Sequence, residues 1–146
     1  LTYSATYGFW GLVILMNWQQ IGYMMIIYIA GIQNIPGELI EAAEIDGASK
    51  WQILRNVTIP MLMPSITICS FLTLTNGFKL FDQNMALTGG APSDKSQMLA
   101  LNIFDTFYGR TGWEGVGQAK AVIFFILVAV IALVQLRATR SKEVQQ

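Results

Sequence analysis

The stretch Ala121 to Val134 carries no polar atom outside its backbone. In water such a run has to be buried on every side, while in a bilayer it is at rest. Crossing about 30 Å of hydrocarbon takes about 20 mostly apolar residues, and three segments meet that length: about 9–32, about 61–81 and about 119–136. Backbone groups in lipid need partners within the chain, so each segment is expected to be a helix, and each is much longer than a barrel strand requires. The composition agrees: 53% of the chain is hydrophobic and only 12% charged, against about 25% charged in an ordinary soluble domain. A soluble bundle of buried helices is the alternative, but three such segments in 146 residues leave too little polar surface for it.

The same composition removes several kinds of chemistry. Histidine is absent and Cys69 is the single cysteine, so a disulfide framework, a histidine-bearing zinc site and a Ser-His-Asp triad are all excluded. No catalytic residue, cofactor or metal site is expected within these residues. Net charge is formally zero, which gives no nucleic-acid footprint. The chain opens at Leu1 with no basic leader, and it reads as the C-terminal part of a longer protein.

Lysine and arginine placement sets the expected orientation. Arg137, Arg140 and Lys142 follow the last apolar segment closely, which places the C-terminus in the cytoplasm. Alternation then puts 82–118 outside and 33–60 inside. The bias is not uniform, since Lys50 and Arg55 inside oppose Lys95 and Arg110 outside. The outer stretch begins with turn chemistry (Leu87 to Ser96). It continues into Gln97 to Tyr108, where Leu99, Ile103, Phe104 and Phe107 repeat at helical spacing, as in an amphipathic helix.

The inner stretch, about 36–60, is ordered rather than loop-like. Ile35-Pro36-Gly37-Glu38 reads as a helix start, with Glu38 and Glu41 where the helix dipole favours negative charge. Ile40, Ala43, Gly47, Trp51 and Leu54 share one face. Gly47 lets the chain bend, and Pro60 is expected to end whatever precedes it. Two short helices at an angle follow from this reading. Lipid-surface helices usually carry lysine and arginine on the polar side. Here Glu38, Glu41, Glu44 and Asp46 outnumber Lys50 and Arg55, which suits a protein partner better than a lipid surface.

Polar side chains at membrane depth usually face a bundle interior or a cavity. Asn17 and Gln20 share a face of the first segment, with Tyr23 three residues on. Thr73, Asn76 and Gly77 form a stripe on the second, followed by Phe78, Phe81 and Asp82. Amides and hydroxyls pair with the hydroxyls of a neutral polyol, and aromatic faces cover its C–H patches. The same residue types also join membrane helices to one another, and for Ser65, Thr67 and Ser70 that role is favoured. Lys79 and Asp82, three apart, are candidates to pair.

Glu41-Ala42-Ala43, then Gly47, then Val57, Ile59 and Pro60 resemble the EAA motif of permease subunits in binding-protein-dependent ABC importers. Val57 and Ile59 stand where the family usually has Ile and Leu. The longer string through Gly47 and Trp51, with Leu87-Thr88-Gly89-Gly90-Ala91-Pro92 downstream, is similar to the sugar-permease branch that includes the maltose-type subunits. The likeness runs over about 8–140. It implies an all-α polytopic membrane domain whose inner element is a coupling helix pair docking into a cytoplasmic ABC ATPase subunit. Glu41, Ala42, Ala43, Asp46, Gly47, Lys50 and Pro60 would form that element. It implies as partners a second homologous permease subunit, an extracytoplasmic sugar-binding protein and an oligosaccharide as cargo, in a bacterial or archaeal cytoplasmic membrane. Asn17, Gln20, Tyr23, Thr73, Asn76, Gly77 and Phe78 are the candidate sugar contacts. No Gly-x-x-x-x-Gly-Lys-Ser/Thr loop occurs here, so ATP is expected on the separate subunit. An ion-coupled secondary transporter is the other transport reading; such proteins usually carry carboxylates or arginine at membrane depth for coupling, and this chain offers only Asp82, near a segment end. A membrane scaffold that recruits a cytosolic partner would not account for the polar stripes.

Overall fold

The computed structural model describes residues 3–140, and no strand occurs among them. Helix α1 is Ala5–Gln33, α2 Gly37–Ile45 and α3 Lys50–Ile53. A π-helical turn, Leu54–Thr58, leads into α4, Ile59–Met61. Helix α5 is Met63–Phe78, α6 Asp82–Leu87, α7 Leu99–Tyr108 and α8 Glu114–Arg140. At 1.5 Å per residue, α1 and α8 are about 40 Å long, enough to cross a bilayer. Both leave nearly all of their apolar surface uncovered by the rest of the chain. The segment Lys50–Met61 and α5 meet the same test only as a pair, bent by 64°. The protein is therefore an all-α membrane protein with two helices able to span, or three if the bent pair is one span.

Pro60 does not end the helix that precedes it. The π-helical turn adds a residue ahead of it, with the Ile59 N–H bonded to the Leu54 carbonyl. Pro60 then falls in the first turn of α4, where a missing N–H costs nothing. The bend comes two residues later, at Leu62, and a second proline, Pro64, opens α5. Proline at Pro60 was thus absorbed and proline at Pro64 marks the corner.

The chain divides into two compact units, and the division falls within α1, α5 and α8. The first comprises 1–20 and 73–132. In it α7 lies against α8 at Gly117, where an added Cβ would come within 2.8 Å of Phe107 Cβ. Phe81, Phe104, Tyr108 and Phe107 form a chain of rings with centroids 4.7–5.0 Å apart. Asn84, with 0% exposure, organises the loop after α6. Its Nδ2 donates to Thr88 Oγ1 and to the Ser96 carbonyl, both at 2.9 Å, and its Oδ1 accepts the Met98 N–H at 2.7 Å. The turn-rich Leu87 to Ser96 stretch is accordingly held by side-chain bonds rather than by a ladder.

The second unit comprises 21–72 and 133–146. Its tightest packing is at Gly31, where a Cβ would collide with Ser65 Oγ and meet Leu62 Cδ2 at 2.9 Å. Ser65 thus sits at a helix–helix contact, as small polar residues in membranes commonly do. Thr67 behaves differently, donating to the Met63 carbonyl of its own helix at 2.9 Å. Arg137 and Arg140 lie in the last turn of α8; Lys142 lies outside the described residues.

Candidate functional site

Two places are candidate sites, one in each unit. In the second unit the stretch between α1 and α5 is an exposed helix–turn–helix. Helix α2 begins at Gly37, with Pro36 at its N-cap and Glu38 in its first turn. It closes in a Schellman arrangement: the Gly47 N–H bonds to the Glu44 carbonyl and the Ala48 N–H to the Ala43 carbonyl, each at 3.0 Å. Gly47 takes φ +78°, which a Cβ would make unfavourable, yet a Cβ there would meet nothing within 4 Å. Within this chain the glycine is therefore demanded by the backbone and not by crowding.

Helix α3 restarts with a capping box that the sequence reading missed. The Ser49 side chain accepts the Gln52 N–H at 3.4 Å, and Gln52 Oε1 accepts the Ser49 N–H at 2.7 Å. The pattern Ser-x-x-Gln at 49–52 was its visible trace. Glu41, Ala42, Asp46, Gly47 and Lys50 are exposed, and Ala43 and Pro60 are half-buried. Ile45 is 86% exposed and Trp51 68%. Apolar side chains of that size, left open beside four carboxylates, form a surface that no described residue covers.

In the first unit a polar cavity of about 270 Å³ is lined by Met16, Gln19, Gln20, Asn76, Lys79, Leu80, Asp82 and Gln83. It exists because α5 stops at Phe78. The Lys79 N–H still reaches back to the Thr75 and Asn76 carbonyls (3.3 and 3.1 Å), the Phe81 N–H closes on the Lys79 carbonyl at 2.7 Å, and α6 starts at Asp82. Lys79 and Asp82 are thereby separated by a turn, and no ion pair joins them among the described residues. Three-residue spacing brings side chains together only on a continuous helix.

Gln83 Nε2 donates to Gln19 Oε1 at 3.0 Å across the cavity wall. Gln20 Oε1 is buried with no hydrogen-bond partner, a state that costs free energy until a donor arrives. The cavity offers acceptors at Gln20 and Asp82, donors at Lys79, and a two-way amide at Asn76.

Of the candidate sugar contacts, Gln20 and Asn76 come together here. The others are placed elsewhere. Asn17 turns its amide back to the Val13 carbonyl at 2.8 Å. Gly77 faces Met16, with a would-be Cβ 3.4 Å from Met16 Cε. Phe78 packs edge-on to Phe124, centroids 6.3 Å apart. Thr73 and Tyr23 are exposed, and Tyr23 belongs to the other unit. Gln19, Lys79, Asp82 and Gln83 join the cavity without having been selected as contacts. The visible mark of Lys79, Asp82 and Gln83 was polarity at the end of the second apolar segment, and that of Gln19 an amide in the middle of the first. No group of three or more ligating side chains suited to a metal ion occurs among the described residues.

A helical membrane protein with an uncovered acidic connection and a polar recess beside a broken helix has the architecture of a transport component. Residues 1–141 match the family described as the binding-protein-dependent transport system inner membrane component, and the chain belongs to that family. It is 54% identical over 138 residues, 94% of its length and 47% of the relative's, to a probable starch degradation products transport system permease protein of Thermoanaerobacterium thermosulfurigenes. It is 33% identical over 132 residues to a multiple sugar-binding transport system permease protein of Streptococcus mutans, covering 90% of this chain and 45% of that one. It is also 33% identical over 133 residues to a trehalose/maltose transport system permease protein of Thermococcus litoralis, covering 91% and 44%. The chain thus spans about half the length of these curated relatives.

Proposed function

We propose that this chain is part of the permease subunit of an ABC importer that carries a neutral oligosaccharide across a bacterial or archaeal cytoplasmic membrane. The observation that carries the reading is the cavity at the α5–α6 break, with its buried unpartnered Gln20 oxygen. Family membership and the sugars named for the relatives support it. Sugar hydroxyls would donate to Gln20 and Asp82 and accept from Lys79 and Asn76. At about 270 Å³ the recess is smaller than the about 300 Å³ at which ligand sites usually begin, so a sugar would be enclosed jointly with other segments of the transporter. A second homologous permease subunit and an extracytoplasmic sugar-binding protein would complete the pathway.

The exposed helix–turn–helix would dock into a cytoplasmic ATPase subunit through Glu41, Ala42, Ala43, Asp46, Gly47 and Lys50, with Pro60 in the helix behind it. Its capped, closed geometry supports this role, because a lever that transmits the ATPase's closure has to be stiff. The C-terminus would lie on the same cytoplasmic side, and alternating access would pass the sugar inward. Reconstitution of the full transporter in proteoliposomes tests the reading. Uptake of radiolabelled maltotriose is expected to require ATP hydrolysis by the partner subunit. Uptake that survives an inactivated ATPase and stops when the ion gradient is dissipated would assign the chain to an ion-coupled carrier, with Asp82 as the coupling group.

A further inference from the structure

We propose that the polar cavity at the foot of α7, lined by Asp94, Gln97, Asn102, Asp105, Thr106 and Arg110, is a second sugar subsite that holds the neutral oligosaccharide before it enters the recess at Gln20. The inference rests on the importer reading above and on the outer placement of 82–118. The cavity is about 580 Å³, well within the range of about 300–1,000 Å³ that small-molecule sites occupy. It belongs to the same unit as the recess at Gln20.

Its inner wall is set by a relay of hydrogen bonds. Gln97 Nε2 donates to Asp105 Oδ2. Asn102 Nδ2 donates to Gln97 Oε1 at 2.6 Å. Lys120 Nζ, from α8, donates to Asn102 Oδ1 at 2.8 Å and to Thr106 Oγ1 at 2.7 Å. Each amide is thereby fixed in one orientation, which a site that reads hydroxyl geometry needs. The Asp94 carboxylate makes no hydrogen bond or ion pair among the described residues, and neither does the Arg110 guanidinium. Acceptors and donors therefore stand free on one lining, and a polyol is a ligand that uses both.

Charge selects among ligands. Asp94 and Asp105 are balanced by Arg110 on the lining and by Lys120 behind it, so the local sum is zero. A metal ion would want an excess of carboxylate and a phosphate an excess of cation, whereas a neutral sugar wants neither. Beyond the lining, Arg110 carries the cavity's polar edge to an aromatic face. The Arg110 guanidinium lies over the Trp113 ring, 5.2 Å from its centroid, and Trp113 remains 45% exposed. A partly open indole beside directed polar groups is the pairing that grips a pyranose, its C–H face on the ring and its hydroxyls on the polar side chains.

The test uses the complete transporter in proteoliposomes, with external binding protein titrated and radiolabelled maltotriose as cargo. Asp94→Ala and Trp113→Ala are expected to lower uptake at saturating binding protein by about tenfold. The binding-protein concentration that half-stimulates ATP hydrolysis should stay within about twofold, and Trp113→Phe should recover most uptake. Unchanged uptake in both variants overturns the proposal. A raised half-stimulating concentration with full uptake at saturation also overturns it and makes the cavity a protein-docking surface. Gln20→Ala serves as the separator: loss of uptake there with normal Asp94→Ala and Trp113→Ala variants refutes the second subsite alone. Normal uptake in Gln20→Ala refutes the recess reading instead. Basal ATP hydrolysis and subunit assembly in each variant report that it has folded.

Discussion

Gln20 is the residue at which stability and transport are expected to pull in opposite directions. A buried acceptor without a donor costs about 1–3 kcal/mol, so Gln20→Leu removes a penalty while keeping most of the volume. The expected outcome is an unchanged or higher unfolding temperature together with a large loss of sugar uptake. A lower unfolding temperature would show that the amide serves packing. Gly47 makes a second residue-scale case. Its φ of +78° is tolerated by asparagine far better than by a β-branched residue. Gly47→Asn should retain helix content, and Gly47→Val should lose about 1–3 kcal/mol in thermal unfolding. Because a Cβ here meets nothing within 4 Å among the described residues, loss of ATPase attachment in Gly47→Asn is expected to come from the partner's close approach. Full attachment and uptake in both variants would remove Gly47 from the docking surface.

At the scale of elements, the order in the outer loop depends on one side chain. Asn84→Leu strands the Ser96 carbonyl and the Met98 N–H and takes one bond from the Thr88 hydroxyl, which keeps the residue-84 carbonyl and the Gly90 N–H, each lost bond being worth about 1 kcal/mol. Limited proteolysis between 88 and 98 should become much faster in that variant while α1 and α8 remain protected. Equal protection of the loop would contradict this account. Much of this element layer could be read along the chain. Gly47 announced the turn after α2, and the Leu99–Phe107 periodicity announced α7. The π-helical turn ahead of Pro60 could not be read, because it arises from fitting a proline into a helix that continues to Met61. Asn84 could not be read either, since its three partners lie 4 to 14 residues downstream and nothing local marks them.

For the whole molecule the outstanding geometry is sidedness. Arg137, Arg140 and Lys142 predict a cytoplasmic C-terminus, and alternation across three spans predicts an external 82–118 segment. Cys69 is buried and is the sole cysteine, so it can be replaced by serine to give a silent background. In that background, Lys95→Cys should react with an impermeant maleimide in intact cells, and Lys142→Cys only after permeabilisation. The reverse pattern would invert the topology and move the helix–turn–helix at 37–61 to the outside, where no cytoplasmic ATPase reaches it. The flanks of α1 and α8 are left uncovered by the described residues, in a chain that spans about half the length of its relatives.

The sequence by itself determined the class of solvent, the helical state of the apolar segments and the acidic element between two of them. Each of these follows from local composition and period, which tertiary contacts do not alter. It also marked Gln20 and Asn76 as polar groups at membrane depth. Which polar groups share a space was decided only by the tertiary structure. Asn17 spends its amide on its own backbone, Phe78 turns to Phe124, and the break after Phe78 swings Lys79 and Asp82 onto the lining beside Gln20. Helical spacing fixes the direction of a side chain around one axis. Where two axes approach, and where a helix stops, is set by packing between segments far apart in the chain.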